Sequence, residues 1–240
     1  MSYQTLFKEI AALDHEEIDA IVALYLSYYE GSSRAVVVSD LANKSAILLL
    51  LYKDTLVGFS TFELYERLWN NKRIRVIYSG DTIVAHEHWG QQALAFSWIR
   101  YIGSLKRQNP QQPIYWFLIV KGHRTFKYLP AFTHSFYPHW SRERSDLKTL
   151  LDVLAKEKFG AHYDAKNGII SFETSRGHLK TSYAHPQENE KNKPAVAYFL
   201  KRNPGYYKGD ELACLCEFDD ANLKPFTRRI LNQYNTEQAG

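Results

Sequence analysis

The sequence predicts an α+β protein, built on a mixed, mostly antiparallel sheet with helices on both faces and continued by a C-terminal α+β extension. Two observations support this prediction. The apolar run Ala46–Tyr52 is typical of a buried strand, and after a turn at Lys53-Asp54 the segment Leu56–Tyr65 supplies an antiparallel partner. Further along, an extended apolar segment passes directly into an amphipathic helix and then into another strand, which favours a parallel pair.

Composition narrows the class of protein. The chain has 240 residues, of which 45% are apolar and 15% aromatic, so a sizeable core is expected. Its longest apolar run is too short to span a bilayer, and Lys8, Glu9 and Asp14 interrupt the N-terminal stretch that a signal peptide would keep apolar. We therefore expect a cytoplasmic protein without a membrane partner. A scattered formal net charge of +4 argues against nucleic acid as a partner, and the oligomeric state stays open.

The first helix is predicted from its cap. Asp14 and Glu17 have the spacing of a capping box, and apolar residues recur at helical spacing as far as Tyr29. The next segment, from Arg34 to Lys44, is ambiguous.

The third predicted strand and the helix after it define the centre of the fold. Ile74–Val84 alternates and is rich in β-branched residues, but Ser79-Gly80-Asp81 interrupts it, and a glycine there indicates a bulge or a close backbone approach. A helix is expected from about Gln92 to Arg107, and Ile114–Val120 then returns as a strand. A right-handed crossover lays the two strands parallel, or splays them at their ends, and a ligand would fit that gap.

The C-terminal part is predicted as a helix followed by strands. We divide the chain into a core of residues 1–140 and a part of residues 141–240 that packs on it. The signals in this second part are a leucine-rich helix closed by Gly160, a hairpin at Asn167-Gly168, a strand at Leu179–Tyr183, an exposed loop at 186–194, a last strand at Glu211–Phe218 and a helix after Pro225. We expect Glu211–Phe218 to join the same sheet near Ile114–Val120, because so apolar an edge strand would otherwise favour aggregation.

The stretch from Ile83 to Leu94 is the strongest functional signal in the sequence. A strand ends in a loop that bears a glycine, and the loop runs into a helix whose first turn offers unpaired N–H groups and the positive end of the helix dipole. Such an arrangement binds phosphate with little help from side chains, so it points to a nucleotide-like cofactor. The candidate binding residues are Ile83, Val84, Ala85, Trp89, Gly90, Gln91, Gln92, Ala93 and Leu94.

This order of elements resembles the GNAT superfamily, the GCN5-related N-acyltransferases, best over residues 46–128. In that family the strand runs into a loop of the form Val-x-x-x-x-Arg/Gln-Gly-x-Gly-x-Gly/Ala. Here Val84 and Gly90 match the pattern, whereas Trp89 replaces the Arg/Gln, and Gln92 and Leu94 replace the second and third glycines. The resemblance implies a divergent member that moves an acyl group from acetyl-CoA or a longer acyl-CoA to an amine of a small molecule or peptide, without a metal.

The resemblance also implies catalytic roles. The family often carries a Tyr after the following strand, whose hydroxyl protonates the leaving thiolate, and Tyr128 occupies that place. A base must take a proton from the amine, and Asp81 beside the suspected bulge is the candidate, with Glu87 and His86 as alternatives. Each of these residues also has a structural explanation, the polar ones as turn or solvated loop residues and Tyr128 as a core aromatic.

Three alternatives stay open at this stage. The missing loop glycines favour a non-catalytic protein of the same fold that binds a peptide or metabolite. An acyl-carrier-protein-dependent acyltransferase would read the carrier's phosphopantetheine through basic residues such as Lys106, Arg107 and Arg124. A metal-dependent cupin-like enzyme would use His86 and His88, but no Glu follows at the required spacing and the next segment is helical.

Overall fold

The computed structural model describes residues 2–233 of the chain. Its strands are β1 Tyr3–Glu9, β2 Tyr29–Glu30, β3 Ala46–Tyr52, β4 Thr55–Trp69, β5 Lys72–Val84, β6 Ile114–Val120, β7 Tyr163–Asp164, β8 Ile169–Ile170, β9 His178–Leu179 and β10 Glu211–Glu217. Its α-helices are α1 His15–Tyr28, α2 Arg34–Ala42, α3 Ala93–Gln108, α4 His123–Phe126, α5 Tyr128–Phe132, α6 Ser145–Phe159, α7 Thr181–Ala184, α8 Glu188–Lys191, α9 Pro194–Arg202 and α10 Pro225–Leu231. None of the helices within 2–233 combines the length and apolar character that crossing a membrane requires.

One large sheet organises the chain. Eight strands follow the order β1-β3-β4-β5-β6-β10-β8-β7, and β2 pairs with β9 in a separate ladder. Within the described residues only β5 and β6 pair in parallel, and the other neighbours are antiparallel. The predicted α+β class, with a mixed and mostly antiparallel sheet, is therefore confirmed. Strand β1, which was not predicted, forms the sheet edge beside β3.

The two faces of the sheet are covered differently. On one, the α3 face, α3 and α10 pack together over a large core that includes Trp98 and Trp116. The opposite face, here the α1/α6 face, has two separate covers: α1 and α2 lie over the β3–β4 side, and α6 lies over β5, β6 and β10. A gap is left between these two covers, in front of the ends of β5 and β6.

A bulge in β5 reverses which residues face which side. Ser79 pairs with Phe62 and Thr82 pairs with Ser60, so that Gly80 and Asp81 together lie opposite the single residue Thr61. Since side chains alternate along a strand, the extra residue shifts the alternation by one position. The bulge indicated by the glycine in the sequence is confirmed.

Several local predictions agree with the structure. The Asp14–Glu17 capping box is present in full, and the Lys53-Asp54 turn has positive φ at both residues, as a two-residue hairpin turn requires. Strand β10 pairs antiparallel with β6, from Leu212↔Val120 to Glu217↔Tyr115, as expected for the last strand. The division of the chain at residue 140 stays a prediction.

Other local predictions need correction. The strand expected at Leu179–Tyr183 is wrong beyond Leu179, because its partner β2 has only two residues and the chain then turns into α7. The expected loop at 186–194 contains the short helix α8, and the ambiguous segment from Arg34 is the helix α2 with Ser33 as its cap. Helix α9 was not predicted, although Pro194 occupies the first helical turn that proline favours.

Candidate active site

The site begins where the two parallel strands part. β5 and β6 pair from Arg75↔Ile114 to Ser79↔Leu118, and no pairing between them continues within the described residues. The bulge at Gly80-Asp81 bends β5 at that point, because a bulge increases the local twist of its strand. The predicted splay is present, and it leaves backbone groups on the facing edges of β5 and β6 without ladder partners.

A cavity of about 650 Å³ occupies the gap. It reaches from the α1/α6 face into the opening between β5 and β6, and its size suits a small-molecule site. Segments far apart in the sequence contribute to its walls, among them Tyr25, Tyr29, Asp40 and Lys44 from α1, α2 and the residues that follow them, Asp81 and Val84 from β5, Lys121, Arg124 and Tyr128 after β6, and Phe172, Arg176 and Glu211 from the C-terminal part.

Two ion pairs lie in the wall of the cavity. The Lys121 Nζ is 3.3 Å from a carboxylate oxygen of Glu211, which is nearly fully buried, and the Lys44 Nζ is 2.5 Å from one of Asp40. Burial lowers the pKa of Lys121, but Glu211 and further anionic neighbours outweigh burial and leave that pKa raised. Burial raises the pKa of Glu211, and Lys121 acts in the opposite direction. Lys121 thus remains protonated beside Glu211.

Asp81 differs from these pairs because it has no hydrogen-bond or ion-pair partner among residues 2–233. Burial is the largest effect on its carboxyl group and raises its pKa to about 6, with the Asp40 carboxylate adding to the rise and Lys121 and Lys44 opposing it. A carboxylate with a pKa near neutrality, facing a cavity, is suited to accept a proton.

Tyr128 lies at the opening between the strands. It lines the large cavity and also a smaller one of about 30 Å³ on the α3 face. Its ring stacks on Phe132 with centroids 5.3 Å apart, and burial raises the pKa of its hydroxyl. No partner within the described part of the chain accepts or donates a hydrogen bond at this hydroxyl. It can therefore donate its proton to a group in the opening.

The structure divides the predicted loop residues into two groups. Ile83, Val84 and Trp89 line the large cavity, whereas Ala85 and residues 90–93 do not, and Leu94 lines only the small cavity. The Trp89 indole folds back over the end of β5, where its Nε1 donates to the Val84 carbonyl at 2.8 Å. The Arg124 guanidinium stacks on the same indole, 4.0 Å from the ring centroid.

The loop amides retain part of their capacity for an anion. Those of Trp89 and Gln91 donate within the loop, and the Leu94 amide donates to the Gln91 Oε1 at 3.3 Å. Among the described residues, the amides of Gly90, Gln92 and Ala93 have no partner. Gly90 adopts a φ of +90°, and no atom lies within 4 Å of the place where a Cβ would stand. These three N–H groups at the start of α3 are therefore available to an anion, and phosphate binding there stays a prediction.

The remaining candidates lie away from the cavity. His86 and Glu87 are exposed and do not line it. His88 is occupied by the Tyr3 hydroxyl, 3.0 Å from its Nδ1. Within 2–233 no three His, Cys, Asp or Glu side chains come together as a metal site. The cupin-like alternative has no support, because its two histidines diverge and helix α3 follows them.

The basic patch proposed for a carrier protein is not assembled either. Lys106 and Arg107 lie in the last turn of α3, at the end opposite the loop. Lys106 pairs with Asp220, and Arg107 donates to the Leu231 carbonyl. Only Arg124 of the three residues lines the cavity.

Several charged residues of the cavity wall were not predicted from the sequence. Lys121 directly follows the buried strand β6, and Glu211 is the first residue of β10. A charged residue at the end of a buried strand is the signal that would have pointed to both of them. Asp40 and Lys44 carried no such signal, because they belong to the segment whose structure was ambiguous.

No family model matches the sequence, and no curated protein sequence matches it. Solved structures do. A probable N-acyltransferase from Enterococcus faecalis aligns with 55% of this chain and 33% of its own, at 11% identity and a TM-score of 0.41. The GNAT family N-acetyltransferase YhbS from Escherichia coli, solved in complex with CoA, aligns with 55% of this chain and 70% of its own, at 13% identity and a TM-score of 0.39.

A ribosomal-protein-alanine N-acetyltransferase from Brucella melitensis aligns with 47% of this chain and 77% of its own, at 13% identity and a TM-score of 0.36. The chain is similar to GNAT acetyltransferases. The similarity extends over about half of this chain and over a third of the E. faecalis protein.

Proposed function

We propose that this chain is a GNAT-type acyltransferase, which moves an acyl group from a CoA-type thioester to an amine of a small molecule or peptide. One observation carries the proposal: an unpaired carboxylate, Asp81, faces a cavity at the point where two parallel strands separate. The gap offers a place for a thioester between the strands, and the cavity offers a place for the amine beside the carboxylate.

The proposed reaction assigns a task to each side chain. Asp81 accepts a proton from the acceptor ammonium, and the freed amine nitrogen forms a bond to the thioester carbonyl carbon. Unpaired backbone donors along the parted strands stabilise the oxyanion. The carbon–sulfur bond then breaks, the leaving thiolate takes a proton from the Tyr128 hydroxyl, and the amide nitrogen gives up its second proton, which restores that hydroxyl. The products are an amide and a free thiol.

The donor's phosphates would lie at the start of α3. The amides of Gly90, Gln92 and Ala93, which have no partner among the described residues, would donate to these phosphates. Acetyl-CoA or a longer acyl-CoA is the proposed donor.

A specific observation also favours a second candidate, a non-catalytic binding protein of the same fold. Residues 90–93 do not line the cavity, and the Gln91 side chain occupies the Leu94 amide. If these features prevent donor binding, the cavity is left as a site for a metabolite alone.

Calorimetry and a thiol-release assay separate the two candidates. The intact chain is titrated with acetyl-CoA, octanoyl-CoA and CoA, and free thiol is followed over a panel of amines, with acyl-loaded carrier protein as a further donor. An acyltransferase binds one of the acyl-CoAs and releases thiol only when an amine is present. Absence of both donor binding and thiol release would rule out the acyltransferase and leave the binding protein.

Tyr128→Phe sharpens the same assay, because the substitution removes only the hydroxyl oxygen. Turnover should fall by on the order of 10² to 10⁴, while donor affinity stays the same. Tyr52→Phe serves as a control for the loss of a hydroxyl outside the cavity lining. Unchanged turnover in Tyr128→Phe would remove this residue from the mechanism.

A further inference from the structure

The cavity wall contains charges that the protein itself does not neutralise. Lys44 and Lys121 each have a carboxylate partner. Within 2–233, the lining residues Asp81, Arg124 and Arg176 have no oppositely charged group within ion-pair distance. One carboxylate and two guanidinium groups are thus left for whatever enters the cavity.

Arg124 and Arg176 belong to different parts of the wall. Arg124 stacks on Trp89, next to the loop that precedes α3, and donates to the Tyr183 carbonyl. Arg176 comes from the C-terminal part of the chain and stacks on Phe172, 4.1 Å from the ring centroid. Arg124 therefore lies near the proposed position of the donor phosphates. The proposed donor site does not use Arg176, so this arginine is left for another ligand.

The backbone around Arg176 is held in place. Gly177 has a φ of +117°, and a Cβ at that position would lie 3.0 Å from the Ser32 Cβ and 3.2 Å from the Tyr25 hydroxyl. The Ser175 hydroxyl accepts from the Gly177 amide, and His178 and Leu179 pair with β2 at the end of α1. The backbone of this segment is therefore held against α1, and the exposed Arg176 side chain lines the cavity from there.

The stacked arrangement leaves the edges of the guanidinium free. An arginine over an aromatic face keeps its N–H donors in the plane of the group, where they match a carboxylate or phosphate with two hydrogen bonds. Arg176 makes no hydrogen bond to other described residues, so all of these donors are available.

We infer that the acceptor is a small amine that also carries an anionic group, with its ammonium at Asp81 and its anion at Arg176. Free amino acids and phosphorylated amino alcohols are the chemical class. The role of this amine as an acyl acceptor rests on the proposed function. The binding of its ammonium by Asp81 and of its anion by Arg176 does not. Three aromatic residues that line the same cavity, Tyr78, Phe159 and Phe172, would contact the apolar part of such a molecule.

Paired acceptors test the inference. Phenylalanine is compared with phenethylamine, β-alanine with ethylamine, and phosphoethanolamine with ethanolamine, each by calorimetry without donor and by thiol release with acyl-CoA. We expect each anionic amine to exceed its neutral-tailed partner at least about tenfold in affinity and in kcat/KM, as for a charge-assisted hydrogen bond. Preference for the phosphate or for the carboxylates identifies the anion.

Variants assign the preference to Arg176. Arg176→Gln should raise the Kd and KM of the anionic amines about tenfold and leave those of the neutral-tailed amines unchanged. Arg176→Lys should fall between Gln and wild type, because it keeps the charge and loses the two-bond geometry. Arg73→Gln, on an exposed arginine outside the cavity, is the matched control.

Failure of the proposed function and failure of this inference would give different results. If no acyl-CoA binds and no thiol is released, the proposed function fails, yet loss of amino-acid binding in Arg176→Gln still supports this inference. If anionic and neutral-tailed amines bind equally to the wild-type chain, or if Arg176→Gln weakens both equally, the inference is wrong whatever the donor does.

Discussion

The two faces of the sheet differ in packing, although strands β5 and β6 contribute to both. On the α3 face, Trp98 and Trp116 pack with ring centroids 4.5 Å apart, and the cavity there is only about 30 Å³. On the α1/α6 face, the same strands border a cavity of about 650 Å³ with charged walls. The bulge at Gly80-Asp81 separates the two patterns, because it turns residues on either side of it out of phase. The tightly packed tryptophans and the charged cavity thus lie on different faces of the sheet.

Asp81→Asn should have the largest effect on the cavity side. The substitution keeps the shape and removes the proton acceptor, so acyl transfer should fall by on the order of 10² to 10⁴ while donor affinity is unchanged. In the wild type, kcat/KM should rise through a pH of about 6 and then level off, since Asp81 must be ionised to act. Thiol release measured from pH 5 to 8 checks both points, and an identical pH profile in the variant would exclude Asp81 as the base.

A pair of tryptophans tests the packed face. Trp98 is 5% exposed, and Trp98→Ala should cost about 3 to 5 kcal/mol of unfolding free energy. Trp89 is 36% exposed, and Trp89→Ala should cost about 1 kcal/mol, mainly through its contact with Arg124. Urea unfolding measures both losses of unfolding free energy. Equal losses would contradict the difference in packing between the α3 face and the loop that carries Trp89.

Asp81→Asn also predicts a gain in stability at neutral pH. The folded-state pKa of Asp81 is raised from 3.8 to about 6, so the folded protein favours the protonated form, and this favourable contribution is present below pH 4 and lost as the pH rises through 6. At pH 8 the variant should be more stable than wild type by on the order of 1 to 3 kcal/mol. Thermal unfolding at pH 4 and pH 8 checks this, with the difference expected only at pH 8.

A larger residue in place of Gly80 should strain the bulge. In Gly80→Ala the new Cβ would lie 2.8 Å from the Thr61 Oγ1 and 2.4 Å from the Lys44 Cε. Lys44 can move its flexible end, but Thr61 is buried, so we expect a loss of about 1 to 3 kcal/mol. Among residues 2–233 the Thr61 hydroxyl has no hydrogen-bond partner, and Thr61→Ala should therefore be mild alone and recover part of the loss in the double variant. Additive losses would mean that the two residues do not touch.

The smallest effect is expected at the start of α3. Gln91→Ala frees the Leu94 amide from the Gln91 side chain, which adds a donor for the phosphates of an acyl-CoA. A gain of about 0.3 to 1 kcal/mol, or two- to fivefold in donor affinity, is expected from calorimetry. Gln92→Ala is the control, because its side chain caps no amide of the helix. Weaker binding in Gln91→Ala would show that this side chain supports the loop instead of blocking it.

Local signals made much of the fold predictable from the sequence. The Asp14 cap, the Lys53-Asp54 turn and the glycine at the bulge depend on residues close to them in the chain. The two-residue strand β2 was not predicted, and β9 was predicted only at Leu179, because these strands exist only through pairing with each other across most of the chain.

The candidate site was less predictable than the fold. Asp81 and Tyr128 could be proposed, since one lies beside a local turn signal and the other at a family spacing. Lys121 and Glu211 were signalled only as charged residues at the ends of buried strands, and nothing in the sequence indicated that they and Arg176 line one cavity. Residues from the C-terminal part reach the cavity only through the position of β10 and the ladder between β2 and β9.

The position of β10 in the sheet also affects how the chain folds during its synthesis. It is the last strand of the described chain to leave the ribosome, yet it lies between β6 and β8 in the finished sheet. Until it arrives, β6 presents an apolar, unpaired edge of the kind that aggregates or recruits chaperones, and Lys121 lacks the carboxylate of Glu211. Pairing of β10 thus covers the exposed edge of β6 and at the same time completes the charged wall of the cavity.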